Sequence, residues 1–153
     1  MAEEESTVAD IMDKSVHVVE RGVSVRDCAR AMAKQKAGYA VVVKSGAAVG
    51  IVTERDMVWK VIADNLNPSK VLVGDIMSTP LISISPSASM TEAAKLISEY
   101  RVRRLVVIDE NSGLVGMVSS YDLARTLAKR ESYSNVTLNA IAKLGSPTGG
   151  PYQ

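Results

Sequence analysis

The feature that most constrains this sequence is a short motif that occurs twice. Residues 50–56 read GIVTERD, and residues 116–122 read GMVSSYD, sixty-six positions later. In each copy a glycine opens an apolar run, a hydroxyl residue follows, and an aspartate stands three residues beyond it. This pattern predicts a strand that runs directly into a helix. A chain that carries it twice is expected to contain two copies of one folding unit.

The hydroxyl-x-x-aspartate part of the motif has two physical interpretations. It can be a capping box, in which Thr53 or Ser119 accepts a backbone N–H bond and the acid three residues on bonds back. It can also be a ligand site, because a helix N-terminus attracts anions such as phosphate. The carboxylates of Asp56 and Asp122 would then match the two hydroxyls of a ribose. A single copy would favour the cap. Because the motif occurs twice, both interpretations stay open.

Composition limits the classes of partner. With 153 residues, of which 46% are hydrophobic, the chain can bury a core. Eighteen basic and seventeen acidic residues leave a net charge of +1, which gives no broad field for nucleic acid or anionic lipid. No run approaches the roughly twenty apolar residues that span a bilayer, so neither nucleic acid nor membrane is expected as a partner. One cysteine, Cys28, agrees with a reducing, cytoplasmic location.

The repeat extends well beyond the motif. An Asp-Ile-Met turn at residues 10–12 returns at residues 75–77, and both copies precede a short extended run. Ser24 and Ser89 are predicted to cap amphipathic helices. Unbroken apolar runs at residues 39–43 and 104–108 predict buried strands, and helices are predicted over residues 55–63 and 121–129.

Each half therefore contains a strand, a helix, two strands and a helix, and the predicted class is α/β, of the α+β kind. We expect repeat 1 at residues 7–64 and repeat 2 at residues 71–130, packed sheet to sheet as one module with pseudo-two-fold symmetry. Residues 65–69 form the predicted linker. Residues 131–153 are expected to form a partly flexible C-terminal tail.

The order of these features resembles a tandem pair of cystathionine-beta-synthase domains, called a CBS pair or Bateman module. The resemblance covers residues 7–130 and implies that adenosine ligands bind in clefts between the halves. The ligands it implies are AMP, ADP or ATP, or alternatively S-adenosylmethionine, and no cofactor is required. It also implies a cytoplasmic regulatory module for energy sensing, assembled as a homodimer and read by a separate effector protein.

The resemblance also assigns residues. In such modules the motif aspartate holds the ribose hydroxyls, and basic residues before the middle strand meet phosphate, which implicates Arg103 and Arg104. Gly38 and Tyr39 occupy that place in repeat 1, so the site of Asp122 is expected to be the stronger one. The stronger site is expected to comprise Ile82, Ser83, Val102, Arg103, Arg104, Leu105, Met117, Ser119, Tyr121 and Asp122. The other site is expected to comprise His17, Val18, Gly38, Tyr39, Ala40, Ile51, Thr53, Arg55 and Asp56.

Several of these residues also have a purely structural interpretation. The two arginines can be a solvated pair at a strand edge, and His17 can be a hydrogen-bonded residue of an apolar strand. Cys28 occupies the position of Ala93 in the other repeat, which favours packing over chemistry. Trp59 is expected in the core or in a dimer interface.

Two other classes of function compete with a nucleotide sensor. An enzyme is not expected, because one histidine and one cysteine cannot form a metal cluster and no phosphate-loop or dinucleotide fingerprint is present. No catalytic or metal-binding residue is therefore predicted. The remaining alternative is a ligand-free module for protein interaction or dimerisation, in which both motif acids act only as helix caps.

Overall fold

The computed structural model describes residues 5–129 of the chain. The predicted tail at residues 131–153 lies outside the described residues. The predicted order of strand, helix, strand, strand and helix is confirmed in both halves, each preceded by one helical turn, and the α+β class is confirmed. The helices are α1 (Val8–Ile11), α2 (Val25–Gln35), α3 (Glu54–Met57), α4 (Val73–Ile76), α5 (Met90–Tyr100) and α6 (Ser120–Ala128). The strands are β1 (Val18–Glu20), β2 (Tyr39–Lys44), β3 (Ala47–Thr53), β4 (Ser83–Ile84), β5 (Arg104–Ile108) and β6 (Leu114–Ser119).

The chain forms two compact units. We call Val16–Ile82 the continuous unit, and we call residues 5–15 together with residues 83–129 the split unit. In the continuous unit β1 pairs parallel to β2, and β2 pairs antiparallel to β3. Ser24 caps α2 by accepting a bond from the backbone N–H of Asp27, as predicted. The buried core of this unit consists of Val25, Cys28, Met32, Ala40, Val42, Val52, Met57, Val61, Val73 and Ile76.

The split unit repeats this arrangement. Strands β4 and β5 are parallel, and β5 and β6 are antiparallel. Ser89 caps α5, and its hydroxyl accepts the backbone N–H of Glu92 at 3.1 Å. The register of the antiparallel pair shifts between Val107 and Ile108, as it does between Val42 and Val43 in the other unit. The two sheets therefore share even their irregularity.

The helical turn that opens each sequence repeat lies in the unit built mainly by the other repeat. The backbone of Asp13, which follows α1, exchanges two hydrogen bonds of 2.8 and 2.9 Å with Met117 of β6. The backbone of Ser78, which follows α4, pairs in the same way with Ile51 of β3, at 2.7 and 3.2 Å. The boundaries 7–64 and 71–130 thus follow the sequence duplication, whereas the compact units follow a different division of the chain.

Glycine makes these two pairings possible. A Cβ atom on Gly116 would lie 2.5 Å from the sulfur of Met12 and 3.1 Å from the carbonyl oxygen of Asp13. A Cβ atom on Gly50 would lie 2.7 Å from the sulfur of Met77 and 3.0 Å from the carbonyl oxygen of Ser78. We call the segments that follow α1 and α4 the exchanged segments. The glycine that opens each motif lets one of them approach the strand backbone closely.

The closing helices differ between the halves. The single helix predicted over residues 55–63 is α3 followed by a π-helical segment, Val58–Ile62, whereas α6 is a regular helix. Trp59 lies in the π-helical segment and is 62% exposed, so it is not a core residue of its unit. Val58 and Ile62 are exposed beside it.

Candidate functional site

Thr53 and Asp56 form a capping box at the start of α3. The backbone N–H and the hydroxyl of Thr53 both donate to Oδ2 of Asp56, at 2.9 and 3.1 Å. The backbone N–H of Asp56 donates in return to Oγ1 of Thr53 at 3.4 Å. The capping interpretation is therefore confirmed at this position, which we call the first corner.

Ser119 and Asp122 form the same box at the start of α6, which we call the second corner. The backbone N–H and hydroxyl of Ser119 each lie 2.9 Å from Oδ2 of Asp122. Asp56 and Asp122 are 6% and 9% exposed, so both acids are held in buried positions. Because the cap uses Oδ2 in each corner, Oδ1 is the oxygen that can serve another purpose.

At the first corner, Oδ1 of Asp56 has two further donors. The ammonium of Lys60 lies 2.9 Å away, and the hydroxyl of Ser78 donates at 3.0 Å. Lys60 also donates to the carbonyl oxygen of Ile76 at 2.8 Å and so joins the closing helix to α4. Neither Lys60 nor Ser78 was predicted from the sequence. Only the four-residue spacing of Asp56 and Lys60, which is typical of helical ion pairs, signalled one of them.

At the second corner, the corresponding positions hold different residues. Oδ1 of Asp122 accepts a bond of 3.2 Å from Arg125, whose side chain is half exposed. Thr126 stands where Lys60 stands in the first corner, and its hydroxyl donates to the backbone carbonyl of Asp122 at 2.8 Å. Asp13 stands where Ser78 stands, and its carboxylate accepts the backbone N–H of Ser15.

A cation–π pair occurs beside each corner with its members exchanged. At the first corner the guanidinium of Arg55 lies 5.0 Å from the ring centre of Trp59. At the second, the guanidinium of Arg125 lies 5.6 Å from the ring centre of Tyr121. Nη2 of Arg55 is buried and has no hydrogen-bond partner within residues 5–129. The exchange places the cation of the second corner three residues after its aspartate, within reach of Oδ1.

Strand register brings four of the predicted first-site residues onto one face of the sheet. Tyr39 lies opposite Thr53, Ile51 lies opposite Val41, and Val18 pairs with Val41 from the other side. The ring of His17 meets the ring of Tyr39 edge-on at 5.6 Å. Predicted site residues on this face and at its margin are His17, Val18, Tyr39, Ile51 and Thr53, together with Gly38, whose carbonyl accepts the backbone N–H of Glu54. Ala40 alternates onto the opposite face and belongs to the core.

The second sheet orders its predicted residues in the same way. Arg104 lies opposite Ser119, Met117 lies opposite Val106, and Ser83 pairs with Val106. Leu105 alternates onto the opposite face and is fully buried, and Tyr121 is 69% exposed on α6. Three further site residues lie at the margins: Ile82 precedes β4, and Val102 and Arg103 precede β5. The backbone carbonyl of Arg103 accepts the backbone N–H of Ser120 at 2.9 Å.

Other features of the described part of the chain concern metal binding, the single thiol and membrane crossing. Residues 5–129 contain no cluster of three or more His, Cys, Asp or Glu side chains that would hold a metal ion. Burial raises the pKa of the Cys28 thiol, which lies 3.7 Å from the sulfur of Met32. This environment agrees with the packing role predicted for Cys28. Within the same residues, every helix is too short or too polar to cross a bilayer.

Comparison with known proteins identifies relatives of the chain. It is 31% identical over 134 residues to the CBS domain-containing protein YhcV of Bacillus subtilis, covering 88% of this chain and 94% of YhcV. It is 41% identical over 75 residues to a protein of Methanopyrus kandleri, covering 49% of this chain and 38% of that protein. The chain therefore spans less than two thirds of some of its relatives.

Solved structures share the fold. A protein with CBS domains from Burkholderia ambifaria matches with a TM-score of 0.77 and 29% identity, over 85% of this chain and 99% of that one. The CBS domain pair of protein MJ0100, in complex with 5-methylthioadenosine and S-adenosyl-L-methionine, matches with a TM-score of 0.73 and 25% identity, over 82% and 98%. A hexameric CBS-CP12 protein from bloom-forming cyanobacteria matches with a TM-score of 0.75 and 25% identity, over 92% and 84%.

The family model described as CBS domain matches the chain twice, at residues 8–62 and 73–129. These two stretches coincide with the duplicated pattern of turn, strand, helix, paired strands and closing helix. CBS domain pairs are regulatory modules that bind ligands, and the resemblance read from the repeated motif is confirmed. The chain belongs to the CBS domain family and carries two such domains in tandem.

Proposed function

We propose that the chain is a regulatory sensor that binds an adenine nucleotide, AMP, ADP or ATP, at its two corners. One observation carries the proposal. Each motif aspartate is buried, and its cap fixes Oδ2 while directing Oδ1 away from the capping bonds. A carboxylate held this way is ready to accept bonds from ribose hydroxyls at little cost in side-chain entropy.

The second corner is the stronger site in this proposal. Oδ1 of Asp122 accepts its bond from Arg125, whose side chain is half exposed, whereas Oδ1 of Asp56 meets both Lys60 and Ser78. Arg104 lies directly opposite Ser119 on the same face of the sheet. A guanidinium at this position pairs two N–H donors with phosphate oxygens. Ribose on Asp122 and phosphate on Arg104 together define a nucleotide.

The apolar side chains near the second corner receive the adenine. Met117 lies two residues before Ser119 on β6 and is almost fully buried, and Val102 is half-buried at the start of β5. Ile82 precedes β4 and completes the predicted set. A flat apolar base gains affinity from such contacts without a dedicated hydrogen bond.

A ligand of the S-adenosylmethionine type is the second candidate, because the CBS pair of MJ0100 was solved with such a ligand. Both ligand classes carry adenosine, so the aspartates recognise them alike. The difference lies beyond the ribose, where a nucleotide carries phosphate and S-adenosylmethionine carries a cationic sulfonium. Arg103, directly before β5, and Arg104, its first residue, favour the anion.

The output of the sensor is a change in assembly or in a separate protein. No catalysis is proposed for the chain itself, and incubation with ATP is expected to yield no product. We propose a cytoplasmic homodimer as the working assembly, in keeping with the closed symmetry of most oligomers. The hexameric CBS-CP12 neighbour illustrates that proteins of this fold assemble into larger complexes.

Isothermal titration calorimetry tests the proposal directly. We expect AMP, ADP or ATP to release heat and to raise the unfolding temperature, and S-adenosylmethionine to bind more weakly. A preference for S-adenosylmethionine would select the second candidate. If every adenosine ligand gave neither heat nor a thermal shift, the chain would be an interaction module whose aspartates are only caps. Native mass spectrometry of protein purified without added ligand provides an independent check.

A further inference from the structure

The first corner differs from the second in how completely its aspartate is already bonded. In the described part of the chain, four donors surround the carboxylate of Asp56: the amide and hydroxyl of Thr53, the hydroxyl of Ser78 and the ammonium of Lys60. An ionised carboxylate offers about four acceptor sites. A ribose can therefore bond to Asp56 only if Lys60 or Ser78 withdraws.

Asp122 is less fully used. Among residues 5–129, its carboxylate accepts bonds from the amide and hydroxyl of Ser119 and from Arg125. The residue at the position of Lys60 is Thr126, whose short side chain bonds a backbone carbonyl instead of the carboxylate. The two corners thus share their cap and a cation on Oδ1, and they differ in that Oδ1 of Asp56 also accepts from Ser78 while its cation, Lys60, bonds a backbone carbonyl as well.

We propose that Lys60 determines which corner binds ligand, acting as an internal competitor for the carboxylate of Asp56. This inference rests on the proposed function and adds a specificity-determining residue to it. The ammonium of Lys60 is bonded to Asp56, and a ribose hydroxyl must displace it to bind. The first corner is consequently the weaker site, independently of its missing arginines.

The second contact of Lys60 gives the competition a structural consequence. Its ammonium also donates to the carbonyl oxygen of Ile76, the last residue of α4. One cation thus fixes the closing helix to α4 through Asp56 and Ile76 at once. A ligand that takes Asp56 removes one of these two bonds and loosens the link between the corner and α4.

The test uses adenosine, which carries no phosphate, so that loss of a positive charge does not itself weaken attraction of the ligand. Binding is measured by calorimetry in an Asp122→Ala background, in which the first corner remains as the reporting site. We expect Lys60→Met, which keeps a side chain of similar length but removes the charge, to raise adenosine affinity about threefold to tenfold. The expected gain is modest because Lys60 is partly exposed and its ion pair is screened by water. Lys70→Met removes a charge from an exposed lysine of the same unit and should leave affinity unchanged.

The reciprocal change tests the same idea without disturbing the first corner. In the otherwise unchanged chain, Thr126→Lys places an ammonium near Asp122, and we expect adenosine binding at the second corner to weaken about threefold to tenfold. Thr126→Met, of similar bulk and no charge, should weaken it less. This arm remains informative if Lys60→Met fails to fold.

The outcomes separate the inference from the proposed function. If the unchanged chain binds no adenosine ligand, the proposed function fails. If it binds adenosine through Asp122 but Lys60→Met leaves the first corner as weak as before, or raises affinity no more than Lys70→Met, the role of Lys60 is overturned. Thr126→Lys binding adenosine as tightly as Thr126→Met would overturn it equally.

Discussion

The first and second corners have the same local geometry and different electrostatic surroundings. In both, a hydroxyl residue and an aspartate three positions later cap a closing helix through Oδ2. At the first corner Oδ1 meets Lys60 and Ser78, and at the second it meets Arg125. The duplicated motif thus keeps the placement of the acid, while residues about one helical turn further on determine how available that acid is to a ligand.

The largest expected effect separates the two aspartates. We expect Asp122→Ala to weaken AMP binding about tenfold to a hundredfold, because it removes charged hydrogen bonds to the ribose. Asp56→Ala should weaken it by less than about threefold, because that carboxylate is already bonded by Lys60 and Ser78. Calorimetry of both variants measures the difference. Equal losses would show that the corners are equivalent and would remove the distinction drawn between them.

The next effect concerns the motif glycines, which are present in both units and affect their stability. We expect Gly116→Ala and Gly50→Ala each to lower the free energy of unfolding by about 1–3 kcal/mol, because the added Cβ crowds an exchanged segment. Chemical denaturation measures both losses. Gly22→Ala is the matched control, since a Cβ there meets nothing within 4 Å. A loss at only one of the two motif glycines would mean that the segments are not held alike.

A smaller effect tests the phosphate assignment. We expect Arg104→Ala to weaken AMP binding about tenfold and adenosine binding by less than about threefold, because the guanidinium is assigned to phosphate. Paired titrations with AMP and adenosine give the ratio. Equal losses of affinity for the two ligands would mean that Arg104 has a structural role. The second corner would then resemble the first in lacking a phosphate-binding arginine.

The smallest effect comes from Cys28, which occupies the position of Ala93 in the other repeat. We expect Cys28→Ala to lower the free energy of unfolding by about 1 kcal/mol or less, as one buried atom is lost. The thiol should react slowly with iodoacetamide in the native state, because burial raises its pKa. Rapid alkylation of the folded protein would contradict a purely packing role.

The sequence predicted the elements and the corners because both depend on local patterns. A serine or threonine three residues before an acid at the start of helical periodicity is enough to predict a cap. Both capping boxes and the order of strands and helices followed from such short patterns. The alternation that places Ala40 and Leu105 on the core face also follows from strand periodicity, although the family resemblance implied that both are site residues.

The exchange of the opening segments was not predictable in this way. Both segments contain Asp-Ile-Met, so each could pair with either β3 or β6. The local sequence does not indicate which of the two strands a segment pairs with. Lys60 and Ser78 were missed for a related reason. Ser78 reaches Asp56 from a segment twenty-two residues away, and only the tertiary arrangement brings the two side chains together.

The exchange also determines when each unit can form during synthesis. Residues 16–82 follow one another along the chain, so the continuous unit can fold once they have left the ribosome. The split unit needs both residues 5–15 and residues 83–129, so its first segment must wait for the second half of the chain before it can pair with β6. Synthesis therefore favours a sequential assembly in which the first corner is complete before the second exists.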